Sequence, residues 1–149
     1  MNIISQNPDD TRKLGRTIAR ELKGGEVLCL YGELGAGKTT FAQGFIDFFL
    51  PQKRVLSPTF IIVRHYLISH KLIKNIYHVD LYRIASIGDI AGLGLTELMY
   101  KPDSIVLVEW AERLGNLLPK KRIDIKFSII NEKEREIDIR IVENNIVRG

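Results

Sequence analysis

Gly32-Glu33-Leu34-Gly35-Ala36-Gly37-Lys38-Thr39 fits the pattern G-x-x-x-x-G-K-[ST] without a gap. Glycines at these places let successive backbone N–H groups point into one concavity. A helix opening behind them adds its positive N-terminal end, and together the two hold a polyphosphate. The candidate nucleotide-binding set is Glu33, Gly35, Ala36, Gly37, Lys38, Thr39 and Thr40. Lys38 is the group expected to reach the β- and γ-phosphates, and the Thr39 hydroxyl is the expected Mg²⁺ ligand. The flanks agree with this reading. Val27 to Tyr31 is a continuous apolar run of strand type, and Thr40 to Phe49 reads as a helix.

With 149 residues and 45% hydrophobic content, the chain is expected to be one domain, 1–149, able to bury a core without disulfides or metal staples. No apolar stretch approaches the roughly 20 residues of a membrane span. Met1 to Asp10 lacks the basic start, apolar centre and cleavage site of a signal peptide, so a cytoplasmic protein is expected. The single cysteine, Cys29, lies in the apolar strand and reads as a small buried hydrophobe. The net charge is +4, and Arg12, Arg16 and Arg20 share one helix face. That face is either a footprint for RNA or an acidic partner, or a solvated face opposite Leu14, Ile18 and Leu22.

Along the chain, Asn7-Pro8-Asp9-Asp10 is a helix start: an N-cap residue, a proline in the first turn, then two acids at the positive end. The helix is predicted to run to Leu22 and to stop at Gly24-Gly25. Ser57-Pro58-Thr59 lies between the loop helix and a strand predicted over Phe60 to Tyr66, where P-loop proteins often carry a hydroxyl that senses the γ-phosphate. Two further apolar runs each end in one acid: Ile76 to Val79 before Asp80, and Ile105 to Val108 before Glu109. A carboxylate leaving a buried strand at the C-terminal edge of the sheet can face the phosphate loop. One such acid can hold Mg²⁺ while the other orients the attacking water. Trp110, beside Glu109, either packs against a nucleotide base or fills the core. His65, His70 and His78 have no metal-ligand spacing and read as structural or exposed. Glycines at 88, 92 and 94 predict a broken helix between Ala85 and Tyr100. Alternation at Ile123, Ile125, Phe127 and Ile129, and again at Ile137, Ile139 and Ile141, predicts a C-terminal antiparallel β-hairpin.

Four motifs in this order, Gly32 to Thr40, Ser57-Pro58-Thr59-Phe60, His78-Val79-Asp80-Leu81-Tyr82-Arg83 and Val108-Glu109-Trp110, resemble those of the TsaE (YjeE) family. These are small bacterial P-loop ATPases required for threonylcarbamoyladenosine modification of tRNA. The resemblance covers nearly the whole chain. It implies an α/β, three-layer P-loop NTPase fold with a mixed sheet, and ATP and Mg²⁺ as cofactors. Lys38 is then the phosphate contact, Thr39 and Glu109 the Mg²⁺ ligands, and Asp80 the group that supports hydrolysis. Thr59 lies on a switch segment, and Trp110 belongs to the nucleotide site. The implied partners are the TsaB and TsaD proteins, with tRNA met indirectly through that complex and no membrane.

The sequence departs from the family's usual pattern at Glu33, at Ala111 and at Glu134-Arg135-Glu136 in the hairpin turn. No nucleotide contact is assigned to that turn, Arg135 included. Two other classes compete with the ATPase reading: a small-molecule or nucleoside kinase, and a nucleotide-binding switch with negligible hydrolysis. A GTPase is disfavoured because no Asn-Lys-x-Asp occurs.

Overall fold

The computed structural model describes residues 1–51, 62–144 and 146–148. Thr59, with the rest of Ser57-Pro58-Thr59-Phe60, lies outside the described residues, as does the start of the strand expected from Phe60. The described strands form one mixed eight-stranded sheet. In chain order they are β1 (Asn2–Ser5), β2 (Val27–Tyr31), β3 (Val63–Leu67), β4 (Asn75–Asp80), β5 (Ser104–Glu109), β6 (Arg122–Ile129), β7 (Arg135–Glu143) and β8 (Ile146–Arg148). Their order across the sheet is β1-β7-β6-β2-β5-β4-β3, with β8 also on β7. The central β2 runs parallel to both β5 and β6, and β4 runs parallel to β5. The outer pairs β3–β4, β6–β7, β1–β7 and β7–β8 are antiparallel.

Helix α1 (Pro8–Glu21) begins as expected: the Asn7 side chain accepts the Asp10 N–H at 2.9 Å, and Pro8 opens the first turn. The chain then turns through Gly24 (φ +116°) and Gly25 (φ +89°) into β2. Helix α2 (Lys38–Phe49) follows the phosphate loop and packs with α1 on one face of the sheet. The residues that α1 buries most deeply are the small Thr11, Gly15 and Ala19 rather than Leu14 and Ile18. The crossing is correspondingly close. A Cβ on Gly15 would lie 2.3 Å from the Phe41 carbonyl oxygen, and one on Gly44 2.1 Å from that of Arg12.

The arginine face of α1 is partly engaged, one residue within α1 and two toward α2. Arg12 pairs with Asp9, Arg16 reaches Asp47 of α2 at 3.3 Å, and Arg20 lies 6.0 Å from the Phe48 ring. The opposite face of β2, β4 and β5 is covered by α3 (Ile87–Ala91), α4 (Leu95–Leu98) and a 3₁₀ segment, Ala111–Leu117, kinked at Gly115. The two short helices α3 and α4 are the broken helix that the glycines predict between Ala85 and Tyr100; the 3₁₀ segment lies beyond it, outside that prediction. Helices on both faces of a sheet with an antiparallel hairpin at one side make the P-loop α/β fold expected from the sequence.

Side chains alternate along each strand, so Ile76, His78 and Asp80 of β4 and Ile105, Leu107 and Glu109 of β5 share the face under α1 and α2. The apolar members of each set fill the core. Asp80 and Glu109 lie at the strand ends, beneath the first turn of α2, and His78 lies one position behind Asp80 on the same face.

Candidate functional site

The phosphate loop leaves β2 at Gly32 and is shaped by glycines in the left-handed region at Gly35 (φ +80°) and Gly37 (φ +107°). Its turn closes on an Ala36 N–H to Glu33 carbonyl bond of 3.0 Å. Lys38 opens α2 and is 4% exposed. Its ammonium donates to the carbonyls of Gly32 and of Glu33, the latter at 3.0 Å, and lies 4.2 Å from the centre of the Trp110 ring. Loss of solvent lowers the Lys38 pKa from the usual lysine range, partly opposed by the nearby Glu109, Glu112 and Asp80.

Parallel pairing places Asp80 and Glu109 in register at the ends of β4 and β5. Glu109 is 2% exposed and held from two sides: the Thr39 hydroxyl donates to Oε1 at 2.9 Å, and His78 Nε2 lies 2.5 Å from Oε2. Asp80 is 8% exposed and accepts the Tyr82 N–H at 2.9 Å. Burial raises its pKa above the usual carboxylate range. The Tyr82 N–H opposes the shift, and neighbouring Glu109 adds to it.

One cleft joins these groups. Gly35, Gly37, Lys38, Thr39, Thr40, Asp80, Glu109 and Trp110 all line it. The structure therefore brings together most of the residues that the sequence singles out, from three separate stretches. Ala36 is buried in the loop's own turn, and Glu33 lines a second cavity beyond the loop with Tyr31, Asp124 and Arg140. Trp110, with φ +60°, has its ring 4.2 Å from the Lys38 ammonium and 5.0 Å from Tyr82, and it also packs against the core cluster of Val79, Val108 and Ala111, so it borders both the loop lysine and the core.

Pro8, Thr11 and the hairpin turn complete the cleft. The turn, to which the sequence assigns no nucleotide contact, touches the phosphate loop itself. Arg135 donates to the Gly35 carbonyl at 3.1 Å and, through its other nitrogen, to the carbonyls of Asn131 and Glu134. The reason is strand direction. Because β6 runs parallel to β2, it ends at the edge of the sheet where β2 delivers the phosphate loop. His78, read from the sequence as structural or exposed, is fully buried and bonds Glu109. Its two-residue spacing from Asp80 puts both on one face, a signal present in the sequence.

The donor set suits a hard cation: a hydroxyl and a carboxylate oxygen side by side, with a second carboxylate alongside. Mg²⁺ is commonly bound by one or two carboxylates and takes phosphate and water oxygens for its other positions. Among the described residues no group of three or more His, Cys, Asp or Glu could hold a metal by itself. Nor is any helix among them long and apolar enough to cross a membrane.

The family model described as "Threonylcarbamoyl adenosine biosynthesis protein TsaE" matches residues 5–137. The chain belongs to the TsaE family. Among curated TsaE proteins, named for tRNA threonylcarbamoyladenosine biosynthesis, that of Bacillus subtilis is 37% identical over 138 residues, covering 93% of this chain and 84% of the relative. The TsaE of Treponema pallidum is 33% identical over 139 residues, covering 93% and 99%. Among solved structures, the crystal structure of Bacillus subtilis YdiB superposes with a TM-score of 0.78 at 33% identity, covering 97% of this chain and 86% of that one. The TsaE motifs quoted from the sequence are thus in a chain of the TsaE fold. Three of them, the phosphate loop, the segment around Asp80 and Glu109-Trp110, meet at one cleft.

Proposed function

We propose that this TsaE-family chain is a Mg²⁺-dependent ATPase that serves threonylcarbamoyladenosine modification of tRNA as a nucleotide-controlled partner of TsaB and TsaD. The observation that carries the proposal is the meeting of Thr39, Glu109 and Asp80 at the opening of the phosphate loop.

Each side chain has a distinct task in this reading. The loop N–H groups and Lys38 bind the β- and γ-phosphates, with the ammonium exchanging the Gly32 and Glu33 carbonyls for phosphate oxygens. Thr39 and Glu109 are the residues that would hold Mg²⁺, whose chemistry is to offset the charge that builds on the phosphate oxygens. Asp80 sits beside them, where its carboxylate can accept a hydrogen bond from water and orient it for attack. Arg135 ties the hairpin turn to the loop and Trp110 covers Lys38, so nucleotide entry disturbs both. Those two contacts offer a route by which a bound partner could feel the nucleotide.

ATP turnover measured with and without TsaB and TsaD tests the proposal. Turnover that needs Mg²⁺, rises with the partners and is abolished by Lys38→Ala is the expected result. Turnover indifferent to the partners, or phosphate transfer from ATP to a nucleoside, would replace this reading with that of a kinase.

A further inference from the structure

His78 is fully buried, and on the same sheet face Ile76, Ile105 and Leu107 beside it are apolar and also fully buried, leaving the carboxylates Asp80 and Glu109 toward the strand ends as its polar neighbours. An imidazole in such a place costs free energy unless it is hydrogen-bonded. Its only hydrogen-bond partner among the described residues is Glu109, and its Nδ1 has none. An N–H left at Nδ1 would be an unpaired buried donor, so the proton belongs on Nε2, pointing at the carboxylate.

The two oxygens of Glu109 are consequently in different situations. Oε2 faces His78 inside the sheet, with both side chains at most 3% exposed. Oε1 faces the Thr39 hydroxyl at the cleft. Only Oε1 can change partner without opening the core.

From this asymmetry we infer that His78 is a positioning residue for the cation site: its Nε2–H fixes the Glu109 carboxylate by Oε2, so that Oε1 and the Thr39 hydroxyl are presented together to Mg²⁺. The inference rests on the assignment of Thr39 and Glu109 as the cation-holding pair. A carboxylate held in place from behind loses little freedom on taking a cation. Released, it can rotate toward Thr39 or the loop, and its affinity for the metal falls. Outer partners of this kind typically change metal affinity by about 10- to 100-fold.

Trp110 is the sole tryptophan and lines the cleft, so its fluorescence reports occupancy without any turnover. The test is the Mg²⁺ concentration needed to tighten binding of a non-hydrolysable ATP analogue, read from Trp110, in the wild type and in His78→Leu, His78→Asn and His78→Gln. The leucine variant removes the donor. The asparagine variant keeps a buried amide but draws it back from Glu109, and it carries the same comparison should the leucine variant not fold. The glutamine variant restores a donor of similar reach. His78→Leu and His78→Asn are expected to raise the Mg²⁺ midpoint tenfold or more with metal-free nucleotide affinity unchanged, and His78→Gln to recover most of that loss.

A wild-type Mg²⁺ response that is the same in the leucine or asparagine variant would overturn the role of His78 and leave the cation-holding pair standing. An equal shift in the glutamine variant would also overturn it, since the donor would then be irrelevant. No Mg²⁺ response in the wild type would overturn the pair and the inference together.

Discussion

The first turn of α2 and its middle are built on opposite principles. At Gly44 the helix meets α1 backbone to backbone, with no room for a single methyl group between Gly44 and the carbonyl of Arg12. At Lys38 and Thr39, about one and a half turns earlier, it sets a buried lysine and a half-buried hydroxyl over two carboxylates. The middle excludes polar groups and gains close contact. The first turn retains charges whose desolvation opposes folding, which makes sense only where those charges have another use. One rigid helix therefore carries both the packing that holds the layer on the sheet and the groups that line the cleft.

The sharpest way to break this contrast is at the crossing. Gly44→Ala places a Cβ against backbone that cannot swing aside, and a loss of about 3 kcal/mol or more in urea unfolding is expected, with Gly15→Ala close behind. A loss below about 1 kcal/mol would mean that the helices are less tightly apposed. At the first turn the expected pattern reverses. Lys38→Ala lowers ATP turnover by about 100-fold or more, because it removes charge from the transferring phosphoryl group, while the unfolding midpoint moves little. Smaller effects sharpen the boundary between the two regions. Asn7→Ala removes the cap of α1 and should cost about 1 kcal/mol in the same unfolding assay, with turnover unchanged. Cys29, fully buried, has its thiol pushed up to about 12 by loss of solvent, so a thiol-specific reagent at pH 8 should label it only on unfolding. Rapid labelling of the folded protein would show that β2 is not sealed.

The two regions were also unequally legible in the sequence. The first turn of α2 was plain, because glycine spacing, Lys38 and Thr39 form a local code that needs no tertiary information. Asp80 and Glu109 were nearly as plain, since a buried parallel strand reads as an apolar run and its terminating acid stands out. The crossing was not legible. Gly15 and Gly44 look like weak points in their helices until the two are set against each other, and which pair of helices meets is not a local property. The contact of Arg135 with the Gly35 carbonyl was hidden for the same reason: it depends on β6 running parallel to β2, a long-range fact. His78 could have been read from its spacing to Asp80, but its partner is on another strand. The edge strands β1 and β8, with four and three residues, are too short to show a period.

The most direct test of the central claim, that the polar groups under α2 are there for chemistry and not for the fold, is Asp80→Asn measured for both ATP turnover and unfolding. Burial raises the Asp80 pKa in the folded state, so the ionised carboxylate opposes folding at neutral pH. That cost is present above the raised pKa and disappears as pH falls below the ordinary value of 3.8. The account predicts that Asp80→Asn largely abolishes turnover while its unfolding midpoint at pH 7 equals or exceeds that of the wild type, with any advantage vanishing below about pH 4. A variant that loses stability at pH 7 in step with activity, or one that keeps full turnover, would contradict it.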